Sequence, residues 1–211
     1  MSFFNFDESN TFCIFLDKRL DKMNERLKKS ELKVTTWKAC LPSEITDNFQ
    51  EYLNPYQKAC SQSHLNIWRH IKTKNIDYAL ILEDDACFDK NWREKLETFN
   101  HKNWDLILLN ASEPVYPIKK WVKVTEQYLT GAYIISQKGI DNILNIFNGN
   151  YGSSDWMTSR LQIYNNSYSY FPWLVIQDGY DSSIGSNVEA DHKKVLKILA
   201  EINYSIYEYI I

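Results

Sequence analysis

The chain has 211 residues, of which 44% are hydrophobic and 24% charged, a balance typical of a globular protein with one sizeable core. Its net charge of −3 argues against a dedicated nucleic-acid-binding protein, in which a basic face is expected. No apolar stretch approaches the roughly 20 residues of a transmembrane segment, and the run SFFNF is too short for a signal peptide. The cysteines show no CxxC spacing, so we expect reduced thiols and a cytoplasmic location.

The first half of the chain alternates between strand and helix patterns. The predicted elements are a strand at 11–17, a helix at 18–29, a strand at 32–40, a helix beginning at Pro55, a strand at 78–82, a helix after Asp89 and a strand at 104–110. The first of these strands is nearly continuously apolar, which is typical of burial on both faces. Such alternation predicts a mostly parallel sheet with helices on both faces.

The second half has a different pattern. The predicted elements are a half-exposed antiparallel strand at 119–127, a strand at 132–136, a helix at 137–147, a helix from Ser154 or Asp155 and a late strand at 168–177. Pro172 places the late strand at an edge or a bulge. The tail at 188–211 is amphipathic, so it either covers the core or docks on a partner or a membrane surface. We see no linker and expect a single domain over 1–211.

Three consecutive carboxylates, Glu83, Asp84 and Asp85, follow the apolar run 79–82. Unit charges 4 Å apart repel by roughly 4 kcal/mol at an intermediate dielectric constant, and a cation relieves this repulsion. Ligands of open α/β sheets bind at the carboxyl ends of strands, and oxygen ligands suit Mg²⁺ and Mn²⁺. The chain has neither a GxxxxGK[ST] loop nor a GxGxxG after its first strand, which leaves nucleotide-sugar transfer as the natural candidate.

A series of motifs from about residue 12 to residue 187 carries a family resemblance. They are CIFLDKRLDKMNERL, ACSQSHLNIWRHI, YALILEDDACF, WDLILLN, TGAYIISQKGIDNIL, SSDWM and PWLVIQDGYDSSI. In this order they resemble glycosyltransferase family 25, the lipopolysaccharide-biosynthesis and collagen-galactosyltransferase type.

The resemblance implies a fold and a reaction. The fold is of the GT-A glycosyltransferase type: an α/β, mostly parallel Rossmann-like sheet with helices on both faces and a small antiparallel second half. A nucleotide-binding half would span 11–110 and an acceptor half 111–187. The implied reaction moves galactose or glucose from a UDP-sugar to a hydroxyl of a glycan or protein acceptor. It inverts the anomeric centre and uses Mn²⁺ or Mg²⁺.

Specific residues can be matched to these roles. Asp85 and Glu83 are expected to hold the metal ion, and Asp155 to act as the general base. The residues expected to bind the donor are Asp17, Arg19, Lys22 and Asp84. The residues that match family motifs without an assigned role are Ser63, His64, Gln177 and Asp181. If the strand stays extended through residue 85, Glu83 and Asp85 share one face and Asp84 points away.

Some positions depart from the family pattern. Lys22 stands where the family usually has arginine, Ala59 replaces a glycine, and Ser183 replaces an aspartate of the closing motif. Ser183 leaves open a catalytically inactive member that acts as a sugar- or nucleotide-binding module. A second alternative is a nucleotide-sugar hydrolase or phosphotransferase that uses the same metal site. Cys60 and His64 lie four residues apart on a predicted helix and form half of a possible metal site, for which ordinary packing is the favoured interpretation.

Overall fold

A computed structural model describes residues 3–164, 166–178 and 188–211. The strands are β1 (Thr11–Phe15), β2 (Thr35–Lys38), β3 (Tyr78–Glu83), β4 (Ala86–Phe88), β5 (Leu106–Leu108), β6 (Trp121–Lys123), β7 (Ala132–Ser136), β8 (Ser167–Tyr170) and β9 (Val175–Gln177). The helices are α1 (Leu20–Lys29), α2 (Pro55–Lys74), α3 (Trp92–Glu97), α4 (Gln137–Phe147), α5 (Ser154–Tyr164) and α6 (Val188–Glu201). Short 3-10 turns lie at Asp17–Arg19, Pro42–Glu44 and Ile206–Glu208.

The central sheet has the strand order β2-β1-β3-β7-β5-β8-β6. Strands β1, β2, β3, β5 and β8 run in one direction, and β7 and β6 run in the other. The prediction of an α/β fold with a mostly parallel sheet is therefore confirmed. The antiparallel character expected of the second half holds for β6 and β7, whereas β8 runs parallel to β5.

The apolar strands separate two hydrophobic layers. In β3, Ala79 and Ile81 pack into one layer and Leu80 and Leu82 into the other. Helices α2, α4, α5 and α6 contribute to the first layer, and α1 and α3 to the second. Because both faces are covered, the strand needs apolar residues at every position, which explains the continuous runs in the sequence.

Helix α2 begins where the sequence predicts. The side chain of Asn54 accepts hydrogen bonds from the backbone N–H groups of Tyr56 and Gln57, and the side chain of Gln57 accepts from the N–H of Asn54. Pro55 occupies the first turn, where its missing N–H costs no helical hydrogen bond. This fixed start sets the rotation of α2 and hence which of its residues face the sheet.

The predicted late strand at 168–177 is wrong as a single element. Residues 171–174 interrupt it, because Pro172 has no N–H to continue a ladder. Strand β8 joins the central sheet beside β5, whereas β9 pairs antiparallel with β4 in a separate ribbon, in which Ala86 lies opposite Gln177.

The tail packs on the core of the same chain. Leu199 and Tyr209 are buried in the first layer. Backbone N–H groups of Lys90 and Ile210 donate to the carbonyls of Glu208 and Phe88, both at 2.8 Å, so residues 208–210 line the outer edge of β4. The alternative of docking on a partner or a membrane surface gains no support. Within the described residues, no helix combines the length and apolarity needed to cross a membrane.

Candidate functional site

A cavity of about 480 Å³ opens at the carboxyl ends of β1, β3 and β5. The starts of α2 and α5, strand β9 and residues His192 and Val195 of α6 complete its walls. The lining side chains used below are Arg19, Glu83, Asp85, Asn110, Asp155 and Gln177. The cavity thus lies at the edge of the sheet where ligands of α/β proteins bind.

The acidic segment 83–85 turns earlier than the sequence argument assumed. Strand β3 ends at Glu83, and Asp84 and Asp85 form a turn into β4, so the extended-strand premise is wrong. Glu83 and Asp85 nevertheless both contact the side chain of Gln177 in β9. The amide Nε2 of Gln177 lies 3.1 and 3.2 Å from the two oxygens of Asp85 and 3.4 Å from Oε2 of Glu83. The β4–β9 ribbon, rather than strand alternation, brings these two acids to one point.

Asp84 makes its contacts within the protein. Its Oδ2 accepts from the backbone N–H of Leu16 at 2.7 Å, and its Oδ1 pairs with the Arg19 guanidinium at 2.7 Å. Burial raises the pKa of Asp84, and these two hydrogen bonds oppose the rise. The side chain therefore fastens the end of β1 to the acidic turn.

Asp85 is a largely buried acid, with 14% of its side chain exposed, and it lies beside another negative charge. Burial, followed by the charge of Glu83, raises the pKa of Asp85 to about 7, and the hydrogen bond from Gln177 opposes this rise. Among the described residues, the basic side chain within 4 Å of Asp85 is Arg19, at 3.9 Å. Carboxylate oxygens of both acids converge on the Gln177 N–H group, a position where positive charge is favoured. This donor set fits a hard divalent cation.

The inner side of Glu83 contacts helix α2. Its Oε1 lies 3.1 Å from Nε2 of His64, 3.4 Å from the hydroxyl of Thr130 and 4.0 Å from the thiol of Cys60. Potential metal-ligating atoms of Cys60, His64 and Glu83 lie within 4.8 Å of one another. His64 is fully buried, and its other ring nitrogen lies 2.9 Å from the hydroxyl of Tyr133.

Asp155 lies in the first turn of α5, on the cavity wall. Its Oδ1 accepts from the N–H of Trp156 at 2.7 Å. The preceding Ser154 is held by the side chain of Ser61 in α2 and by the hydroxyl of Thr130, both at 2.9 Å. The start of α5 is therefore fixed relative to the acidic turn.

Other residues singled out in the sequence lie away from the cavity or form its frame. Asp17 pairs with Lys38 and is exposed, and Lys22 pairs with Asp178 at 3.0 Å; neither lines the cavity. The hydroxyl of Ser63 accepts from the N–H of Cys40 and so holds the end of β2 against α2. Asp181 and Ser183 lie outside the described residues.

The sequence itself decides the family. Residues 10–117, half of the chain, match Glycosyltransferase family 25 (LPS biosynthesis protein). The chain belongs to glycosyltransferase family 25. The resemblance found in the ordered motifs is thereby confirmed.

Curated relatives within family 25 match only in part. Procollagen galactosyltransferase 1-B of Xenopus laevis is 31% identical over 44% of this chain and 19% of its own length. Probable inactive glycosyltransferase 25 family member 3 of Bos taurus is 25% identical over 59% of this chain and 23% of its own length. The chain thus spans about a fifth of the length of these relatives. The solved structure of the glycosyltransferase GlyE of Streptococcus pneumoniae TIGR4 is 13% identical, with a TM-score of 0.41, and covers 93% of this chain and 53% of that one.

Sequence reasoning missed Asn110, a polar residue that lies two positions after the apolar strand β5 of this family 25 chain. Its Oδ1 accepts from the N–H of Ala132 at 3.0 Å, which fixes the orientation of the amide. Its Nδ2 is buried and has no hydrogen-bond partner within the part of the chain that the structure describes. A Cβ on Gly131 would approach both this Nδ2 and Cδ of Gln177 to 2.8 Å, so the glycine allows the two amides to lie together. The available signal was a polar side chain at the carboxyl end of a buried strand.

Proposed function

We propose that this family 25 member transfers a hexose, galactose or glucose, from a UDP-sugar to a hydroxyl of a glycan or protein acceptor. The reaction inverts the anomeric centre and depends on Mn²⁺ or Mg²⁺. Family membership supports the reaction class. The observation that carries the proposal is the cavity at the carboxyl edge of the sheet, in which Asp85 and Glu83 converge on one point and Asp155 lines the same wall.

Asp85 and Glu83 would hold the cation, because their oxygens converge where a positive charge is favoured. When bound, the cation would neutralise the charge that develops on the departing diphosphate. Arg19, which lines the cavity and pairs with Asp84, adds positive charge on the same side. The diphosphate is therefore expected between the end of β1 and the acidic turn.

Asp155 is the proposed base. The acceptor oxygen forms a bond to the anomeric carbon as the bond from that carbon to the diphosphate oxygen breaks, and Asp155 takes the hydroxyl proton. Attack opposite the leaving group inverts the centre. The contacts that fix Ser154 to α2 and Thr130 hold the carboxylate in place for this transfer.

Asn110 is proposed to bind the hexose. A sugar hydroxyl can both accept and donate hydrogen bonds, and this wall offers an amide donor together with carboxylate acceptors. A buried donor without a partner costs free energy, which a ligand oxygen would recover. A diphosphate oxygen only accepts and carries charge, so it suits the Arg19 side better than the Asn110 side.

The test is transfer and hydrolysis of UDP-galactose and UDP-glucose with Mn²⁺, with and without excess chelator. Release of UDP should stop in chelator and return with added Mn²⁺; full activity in chelator contradicts the metal requirement. Asp155→Asn should abolish transfer and leave UDP binding in calorimetry intact, since the amide keeps the shape but cannot take the proton. A variant that transfers at the wild-type rate would show that another group is the base.

A second candidate is an inactive member that binds the nucleotide sugar. Its support is the Bos taurus relative named as probably inactive and the serine at position 183. Binding of UDP with Mn²⁺, without turnover for any acceptor or for water, favours this candidate. Turnover that is indifferent to the acceptor favours a hydrolase instead.

A further inference from the structure

A chain of buried hydrogen bonds reaches the acidic turn from the core. Nε1 of Trp68 lies 2.9 Å from the hydroxyl of Tyr133, and that hydroxyl lies 2.9 Å from Nδ1 of His64. Nε2 of His64 lies 3.1 Å from Oε1 of Glu83. Trp68, Tyr133 and His64 are each 0% exposed, so bulk solvent does not reach their polar atoms.

The donor and acceptor roles in this series of hydrogen bonds follow from Trp68. An indole N–H can only donate, so the oxygen of Tyr133 accepts from Trp68. Burial raises the pKa of Tyr133, so its hydroxyl keeps its proton and needs an acceptor, and Nδ1 of His64 is the acceptor in reach. The proton of the neutral imidazole therefore lies on Nε2, which donates to Glu83.

The same donor and acceptor roles argue against a metal ion bound by Cys60, His64 and Glu83. A metal on Nε2 would require the proton on Nδ1, and the buried hydroxyl of Tyr133 would then lose its acceptor. The thiol of Cys60 lies 4.0 Å from Oε1 of Glu83, the same oxygen that faces Nε2 of His64. The three residues are better explained as one hydrogen-bonded wall.

The two oxygens of Glu83 consequently have different surroundings. Oε1 faces His64 and the hydroxyl of Thr130, and Oε2 faces Gln177, which also contacts Asp85. We propose that His64 is a positioning residue: its Nδ1 accepts from Tyr133 and its Nε2–H donates to Glu83, which fixes Glu83 so that only Oε2 faces the ligand. The inference rests on the proposed function in one respect, that this ligand is a divalent cation.

The first test reads the tautomer directly. Nitrogen NMR of uniformly labelled protein distinguishes a protonated from an unprotonated ring nitrogen, and the His64 signals are those missing from His64→Gln. We expect a neutral ring with its proton on Nε2, unchanged by Mg²⁺. A proton on Nδ1, a doubly protonated ring, or an Nε2 signal shifted by directly bound metal would overturn the proposal. The tautomer is read in the wild-type protein, with His64→Gln used only to assign the signals, and the measurement needs neither turnover nor a folded leucine variant.

The second test measures Mn²⁺ affinity by calorimetry. His64→Leu removes the donor and should weaken binding by about tenfold, the range seen for residues that orient metal ligands. His64→Gln keeps an N–H donor and should restore most of the affinity. His70→Leu is the matched control, because His70 lies on the same helix but packs against Phe12 and Trp37.

The outcomes separate the two proposals. Wild-type affinity in His64→Leu would overturn the positioning role, as would equal losses in His64→Leu and His64→Gln. If the wild-type protein itself binds no Mn²⁺, the proposed metal dependence fails, and the tautomer still decides whether His64 donates to Glu83.

Discussion

Two aspartates four residues apart, the largely buried Asp85 and the fully buried Asp89, have opposite surroundings. Asp89 is fully buried beside Lys95, whose Nζ lies 2.6 Å away, and it also accepts from the hydroxyl of Tyr204 and from the N–H of Asn91. Asp85 has the amide of Gln177 and, at 3.9 Å, Arg19. The carboxylate of Asp89 therefore has a lysine ammonium within hydrogen-bonding distance, whereas the cationic group beside Asp85 is 3.9 Å away.

This difference separates structural acids from candidate ligand-binding acids better than burial alone. A buried carboxylate with its own ammonium partner is satisfied in the folded state, and its loss is expected to affect folding. A buried carboxylate whose pKa is raised by burial and by a neighbouring acid is destabilising until a cation arrives. We therefore expect Asp89 to support the tail and Asp85 to bind the ligand.

The largest loss of stability is expected from Asp89→Asn. The change leaves the largely buried ammonium of Lys95 without its carboxylate, which should lower the free energy of unfolding by roughly 3 kcal/mol. Urea unfolding measures this loss. Asp141→Asn is the control, since the ion pair of Asp141 with Lys72 is exposed and should be worth less than about 1 kcal/mol. Equal losses for Asp89→Asn and Asp141→Asn would contradict a structural role for the buried Asp89–Lys95 ion pair.

Asp85→Asn should act on binding instead of folding. Mn²⁺ affinity should fall by about 100-fold, with Glu83→Gln intermediate and Asp84→Asn felt more in stability than in metal binding. In chelator the thermal stability of Asp85→Asn should equal or exceed that of the wild type, because the repulsion from Glu83 is relieved. Normal Mn²⁺ binding by Asp85→Asn would refute the assignment.

Asn110→Asp tests whether the ligand that binds at Asp85 also contacts the side chain of Asn110. Aspartate still accepts from the N–H of Ala132 but cannot donate to a sugar hydroxyl. Loss of one such hydrogen bond should weaken UDP-hexose binding by about tenfold. Binding of UDP alone, measured in the same titration series, should change much less. An equal change for both ligands would place Asn110 near the nucleotide and away from the hexose.

The last prediction is a pH dependence. Asp85 has a pKa of about 7 in the folded state and about 4 when unfolded, so the folded protein binds more protons between these values. In chelator, its contribution to stability is fully present below about pH 4 and is lost as the pH rises to about 7. The stability advantage of Asp85→Asn over the wild type should therefore grow across this window. Parallel profiles for the two proteins would show that Asp85 keeps an ordinary pKa.

Local signals in the sequence were sufficient for much of the fold. Asn54 and Pro55 mark the start of α2, because a cap depends on neighbouring residues alone. The acids at 83–85 marked the end of the sheet at which the cavity opens, since strand direction fixes where carboxyl ends meet. The strand at 168–177 failed because its pattern does not reveal that the segment changes sheets after Pro172.

The detailed site could not be predicted in the same way. Gln177 meets Asp85 only because β9 pairs with β4, and His64 meets Glu83 only because α2 packs on β3 and β7. These contacts join residues far apart in sequence and depend on packing. His64 matches a family motif, but its physical role follows only from its contact with Tyr133, which in turn contacts Trp68.

Residues 208–210 at the edge of β4 have a consequence for the order of synthesis. A ribosome makes Asp85 and Gln177 before Tyr209, yet Tyr209 donates its hydroxyl to the carbonyl of Trp173 in the cavity wall at 2.8 Å. A chain that ends before residue 208 lacks the segment that pairs with the outer edge of β4, and an unpaired strand edge beside the acidic turn is a surface that recruits other chains. The last residues of the chain therefore protect the edge of the ribbon that carries Gln177.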